Sequence, residues 1–495
     1  MPIFKKTFCL FLGLLTLGLW AQPELNETPM KVEVSQHQMQ IGGQNFSYEA
    51  HTGYLVLRSE EGEARAKVFF TAYTQSGVSD PTQRPLTFVF NGGPGSSSVW
   101  LHMGGLGPQR VRMQEDGSPV APPYGYADNP DTWLDLTDLV FIDPMMTGYT
   151  RPMGEAEKEE FLGFQQDLEL VGQFIQTYLS RYERWGSPKY LAGESYGTTR
   201  AAGLSGYLQN RYGIFLNGIT LISSVLDFST LIDARGNDVA PLTLLPTLAA
   251  TAWYHGQLGD EFATLDDLLP QVEAFVMGDY ALALLKGDAI GAEEKQEIIA
   301  QLHRFTGLDT AFIADVNLRL SVGPFNKELL RDQGVTVGRL DGRFTGIDYQ
   351  DAGDSYEFDP SYNRVIYGSF TTAINDYLRR ELGYRNDLPY EILTGRARPW
   401  PYGQAASNRY LNVAETLRQA MTRNPDMQVW VASGYYDMAT PYFAADYVLD
   451  HMFLRGGLKD NLRVTYYPAG HMMYIHQPSL EQLKQDAAAF YEKSR

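Results

Sequence analysis

One cysteine, Cys9, is all the thiol chemistry in this 495-residue chain, and it lies inside an apolar N-terminal stretch. Without that stretch the protein has no means of forming a disulfide, a cysteine–metal site or a cysteine nucleophile. Positive charge is also in short supply: 40 Lys and Arg face 59 Asp and Glu, for a formal net charge of −19. Nucleic acid and anionic membranes are polyanions, so neither is an expected partner, and the acidity reads as a solubility feature. Long apolar runs are missing too: beyond the N-terminus no stretch approaches the ~18 residues of a bilayer span. Neither an internal repeat nor a low-complexity tract is visible. What is present is an ordinary globular composition, 44% hydrophobic and 13% aromatic. The chain is long enough for a large core and exceeds one average domain.

The N-terminus, MPIFKKTFCLFLGLLTLGLWAQPE, places two lysines before an apolar run from Phe8 to Trp20, then Ala21 and a polar segment. That order is expected of a secretory signal peptide over residues 1–21, which makes the mature protein secreted or periplasmic and free of the membrane after cleavage. Cys9 stands too early for a lipoprotein cysteine. A core of this size can be exported without disulfides.

From about Met30 to Gln75 the pattern alternates, as in KVEVS, YLVL and AKVFFTAYT, and predicts an antiparallel meander. Short, continuously apolar runs follow: PLTFVF, DLVFID, PKYLAG, GITLISSV, QVWVAS and LRVTYY. Such runs suit strands buried on both faces of a parallel sheet. Helical patterns fall between them, the clearest carrying Phe161, Phe164, Leu168, Val171, Ile175, Tyr178 and Leu179 on one stripe. The alternation breaks between about Asp227 and Tyr410. The expectation is a core formed by 22–226 and 411–495, interrupted by a mainly helical cap, 227–410, over the carboxyl ends of the strands.

Gly193-Glu194-Ser195-Tyr196-Gly197 follows the β-type run KYLA and precedes a helix-compatible stretch, the context of a nucleophile elbow. A serine hydroxyl needs a base, and the base an orienting acid. Both follow in the order of an α/β-hydrolase, Asp437 after QVWVASGYYD and His471 after RVTYYPAGH. His37, His51, His102, His255, His303, His451 and His476 read as exposed or core-satisfied, His476 being the nearest rival. Asp446 and Asp450 read as solvated. A decoy, Gly353-Asp354-Ser355-Tyr356-Glu357, lacks the last glycine and a preceding strand. Asn91 to Ser98, NGGPGSSS, ends another buried run, and its paired glycines can aim backbone N–H groups at a reacting atom. The Asp-rich stretch 346–360 departs from the EF-hand pattern and reads as a solvated loop. No metal and no cofactor are expected.

With NGGPGSSS, GESYG, GYYD and AGHM in this order, the chain resembles the serine carboxypeptidase family, peptidase family S10, in a bacterial form without disulfides. NPDTWLDLTDLVFIDPMMTGYT is similar to the family's N-P-x-x-W…LFLDQP-x-GTGFS stretch and GLGPQRV to its L-G-P-x-x-V; the matches run from about Arg84 to Leu226 and from Val429 to Tyr491. The resemblance implies an α/β-hydrolase fold with Ser195 as nucleophile, His471 as general base then acid, and Asp437 as its orienter. It implies an oxyanion hole of the Gly93 and Tyr196 N–H groups, and a pair, Asn91 and Glu194, that holds a substrate's C-terminal carboxylate. Two close anions cannot both ionise cheaply, so Glu194 would share a proton with that carboxylate, and acidic pH would be favoured. The implied substrates are peptides with a free C-terminus, cleaved through an acyl-enzyme. Three departures bear on substrate choice: Ser96 stands where the family has cysteine, Val89 where it has tryptophan, and Thr198, Thr199 and Arg200 follow the elbow. An esterase or acyltransferase on the same fold is the alternative activity, and a non-catalytic binding protein the alternative class.

Overall fold

The computed structural model describes residues 31–494, so the expected signal segment 1–21 lies outside the described residues. The alternating N-terminal region forms β1 (Glu33–Ile41), β2 (Gln44–Arg58) and β3 (Ala64–Gln75), paired antiparallel in sequence order. The six apolar runs become β4 (Leu86–Phe90), β5 (Asp138–Ile142), β6 (Lys189–Ser195), β7 (Gly218–Ser224), β8 (Gln428–Gly434) and β9 (Leu462–Tyr467). Neighbours among these six pair parallel, and the strands run in the order β1-β2-β3-β5-β4-β6-β7-β8-β9 within one ten-stranded sheet. Every residue of β4, β5, β7 and β8 is buried, which explains their unbroken apolar character.

Helices cover both faces. On one, α1 (Phe164–Arg181) lays Leu168, Val171, Ile175 and Tyr178 into a core shared with α2 (Tyr196–Tyr212). On the other, Trp133 stacks on Trp430 of β8 beside the C-terminal helix Gln477–Lys493.

No strand between β7 and β8 joins the large sheet among the described residues. The intervening chain divides by packing. Residues from α3 (Val239–Tyr254) through Val337 gather a core of their own, with Leu248, Leu268, Leu302, Phe305 and Phe325. The later helix α4 (Tyr367–Arg380) instead buries Phe370, Ile374 and Tyr377 in the main core beside Trp100 and Tyr474. One helical run here, Leu265–Ala289, is long and apolar enough to cross a bilayer, which the sequence reading did not single out. It kinks at Gly278, and 44% of its apolar window is buried inside the molecule.

Candidate active site

The elbow is built by crowding. Ser195 ends β6 with φ 58°, a left-handed conformation that costs energy for a residue with a side chain, and α2 begins at the next residue. A Cβ on Gly193 would collide with the Gly197 carbonyl, and one on Gly197 would lie 2.7 Å from the Phe90 carbonyl oxygen. Only glycine fits either position, and the serine is pushed to the top of the sheet. Thr198 and Thr199, the unusual residues after the elbow, tie it to the end of β7: Thr198 Oγ1 accepts from Val225 N at 2.8 Å and Thr199 Oγ1 donates to Val225 O at 2.7 Å. Arg200 is fully buried below, its Nε 2.7 Å from Asp167 and its Nη1 donating to the Asn91 carbonyl at 2.6 Å. It therefore faces away from the cavity and braces the loop after β4.

His471 and Asp437 meet behind β8 and β9, with His471 Nδ1 2.7 Å from Asp437 Oδ2. Asp437 is fully buried, and its other oxygen accepts from the amides of Ala439 and Thr440 at 2.8 and 3.0 Å. Burial alone would lower the His471 pKa, but the charge and hydrogen bond of Asp437, with Glu194 adding to them, raise it above its ordinary value. His476, the rival, is engaged with Ser479 at 2.7 Å, and His102 is a core residue bound to the Tyr73 hydroxyl.

Ser195, Glu194, Gly92, Gly93 and His471 line one cavity of about 350 Å³. A Cβ on Gly92 would strike the Tyr196 amide nitrogen, and one on Gly93 (φ 105°) would lie 2.8 Å from the Gly95 nitrogen. The loop after β4 thus sits directly against the start of α2, bringing the Gly93 and Tyr196 backbones to the serine. The loop is anchored at its far end by Asp143, which accepts from Ser98 N at 2.9 Å. Ser96 accepts from Trp100 Nε1 at 2.6 Å, and its neighbour Ser97 donates its amide to Ile392 O at 3.0 Å.

Glu194 is the group whose chemistry is most altered. It is buried, the Tyr474 hydroxyl donates to its Oε2, and burial pushes its pKa up to about 7. His471, Tyr474 and Asn91 oppose that rise, while Asp437 adds to it. Asn91 accepts from Leu101 N at 3.0 Å through Oδ1; its Nδ2 is buried without a hydrogen bond of normal geometry, close enough to Glu194 to act on its charge.

Sequence reasoning missed what the inserted segment does here. Leu340 O accepts from His471 N at 2.6 Å and Arg339 O accepts from Met438 N at 3.1 Å. Asp341 accepts from Gly470 N at 3.0 Å and holds Arg343 in a buried ion pair of 2.7 Å. One short strap, 339–343, therefore clamps the loops of both the acid and the histidine. Most of the Asp-rich loop is exposed, as expected of a solvated loop, but the Asp348 side chain is buried and paired with Lys327 at 2.7 Å, and Tyr356 and Asp359 line the cavity. Asp446 likewise is not simply solvated, since it is enclosed beside Tyr466 and burial raises its pKa to about 7. The sequence marked 346–360 and Asp446 only as acidic positions, and 339–343 not at all, because their partners Lys327, Tyr466, Met438, Gly470 and His471 lie elsewhere in the chain.

A mainly parallel sheet flanked by helices, with a serine at a strand–helix elbow and a histidine and an acid after later strands, defines an α/β-hydrolase fold. Residues 41–240, about 40% of the chain, match the family model for serine carboxypeptidase. It is 31% identical over 162 residues to pheromone-processing carboxypeptidase KEX1 of Saccharomyces cerevisiae, an alignment covering 30% of this chain and 21% of that protein. Against serine carboxypeptidase-like 29 of Arabidopsis thaliana it is 26% identical over 197 residues, 39% of this chain and 38% of the relative. The chain thus aligns with well under half the length of these relatives. A solved prohormone-processing carboxypeptidase from Saccharomyces cerevisiae shares the fold at 17% identity and a TM-score of 0.52, covering 90% of this chain and 91% of that one.

Proposed function

We propose that this protein is a serine carboxypeptidase that releases C-terminal residues from peptides through an acyl-enzyme. Ser195 Oγ attacks the scissile carbonyl while His471 Nε2 takes its proton; Asp437, on Nδ1, fixes the tautomer and stabilises the imidazolium. Gly93 and Tyr196 N–H groups receive the developing oxyanion, helped by the positive end of the α2 dipole. The proton passes to the leaving amine, and a water activated by His471 then attacks the acyl ester and restores Ser195. Residues 227–410 are read as the inserted region, its strap supporting the histidine and acid, and residues 1–21 as an export signal.

The observation that carries the substrate assignment is Glu194, a buried carboxyl with a pKa pushed up to about 7, in the serine's own cavity. Below that pH it is protonated and can donate to a substrate carboxylate; above it the two anions repel. His471 must be neutral to act as base, and its pKa is raised, so turnover of every substrate falls as pH drops through that value. Peptide acids therefore have a window closed on both sides, and because the two groups interact, its limits are macroscopic values of the pair. Turnover of one N-acyl dipeptide as acid, amide and ester tests the reading. A strong preference for the acid is expected; equal turnover of all three would replace it with an esterase.

A further inference from the structure

In a chain with a formal charge of −19, the catalytic cavity is lined by two arginines, Arg339 and Arg398. Both are exposed, and among the described residues neither guanidinium has a hydrogen-bond or ion-pair partner. Other arginines of the chain are used differently: Arg200, Arg184 and Arg343 are each buried against an aspartate. Arg339 is nonetheless fixed in place, because its N–H donates to Asp359 at 3.1 Å and its carbonyl accepts from Met438. It lies close enough to His471 to oppose that group's protonation. It also lines a second cavity of about 260 Å³ beside Leu231, Leu244 and Leu320, so the two cavities abut at this side chain.

The anions facing these cations are few. Asp359 lines the same cavity, its Oδ1 accepting from the Arg339 and Ser361 amides, and offsets one of the two positive charges; Asp233 lies in the second cavity. Glu194 is neutral at mildly acidic pH. A carboxylate entering the cavity therefore meets two guanidinium groups against the single carboxylate of Asp359, and can form a charge-assisted hydrogen bond with either of them. A lysine side chain would meet repulsion, and a neutral amide would gain neither effect.

We propose that the cavity selects peptides carrying an acidic side chain next to the scissile bond, with Arg339 and Arg398 as the residues that read it. This rests on the carboxypeptidase reading but is tested separately. N-acyl dipeptide acids with Glu, Gln or Lys placed either in the leaving residue or in the residue before it form the two arms. Near pH 6, kcat/KM is expected to fall in the order Glu, Gln, Lys in the arm whose side chain reaches the arginines. The Glu-to-Gln ratio should be roughly fivefold or more, the effect of about 1 kcal/mol. It should shrink as salt is added, since the pairs are exposed. In an Arg339→Gln/Arg398→Gln double variant the ratio should approach one, whatever happens to turnover of the Gln peptide. Binding of the same peptides to Ser195→Ala, followed by calorimetry, reads the ratio without turnover. A failure of cleavage would then count against the carboxypeptidase reading, while the selectivity is still measured. Equal Glu and Gln values in both arms would overturn the proposal. So would a ratio that survives the double substitution. A double variant that loses its preference for acids over amides instead would assign the arginines to the terminal carboxylate, and that too would overturn it.

Discussion

The loops that end the parallel strands and the segment inserted between β7 and β8 contribute to the same cavity in different ways. From the strand ends come Ser195, Glu194, the glycines after β4 and His471, with Asp437 behind His471, each within a few residues of a strand of the large sheet. The inserted segment supplies Arg339, Tyr356, Asp359 and Arg398, and the strap that clamps the acid and histidine loops. The comparison teaches a division of labour: the groups proposed to make and break bonds stand at the ends of sheet strands, while the insert braces their loops and lines the space beside them.

The largest expected effect sharpens the strand-end side. Ser195→Ala should abolish fluorophosphonate labelling and lower kcat by on the order of 10⁶, as loss of the serine does in a comparable triad. His471→Ala should be similarly damaging, whereas His476→Ala should leave labelling intact; the reverse pair of results would move the base to His476. Next in size is Gly92→Ala. Its Cβ would strike the Tyr196 amide, so the oxyanion donors should separate and kcat fall by about 10²–10³, the loss of one such donor.

The insert is tested by a paired comparison. Asp341→Ala and Asp348→Ala each break a buried ion pair, at a cost of about 3–5 kcal/mol in unfolding free energy. Only Asp341 also holds Gly470 beside His471, so only its loss should lower kcat/KM well below the melting temperature. Equal kinetics in the two variants would remove the strap from the account. The smallest effect is expected from Asn91→Ala, where KM for peptide acids should rise by about tenfold, within the 1–3 kcal/mol of a lost buried hydrogen bond, and that for esters much less.

The same division explains what was legible in the sequence. Six apolar runs became the six parallel strands; four of them are buried along their whole length and so must be apolar throughout, while β9, at the sheet edge, is only half-buried. Ser195, Asp437 and His471 were readable because each follows such a run within a few residues. The insert gave no comparable signal. Arg339 and Asp341 act on His471 from more than a hundred residues away in sequence, and the split of 227–410 into a separate core and a helix belonging to the main core rests on long-range packing. Arg200 illustrates the limit from the other side: five residues past the serine, it is buried on Asp167 rather than presented to a ligand.

The central claim is that Glu194 recognises a substrate carboxylate as a protonated acid, and its pH dependence tests that most directly. Measured from pH 4 to 8 on the acid and amide forms of one dipeptide, kcat/KM for the acid should fall as pH rises through about 7, where Glu194 ionises, while that for the amide should not. Glu194→Gln keeps a donor and removes the titration, so the acid should lose its high-pH decline and retain turnover. A single shared pH profile for acid and amide in the wild type, unchanged by Glu194→Gln, would contradict the account.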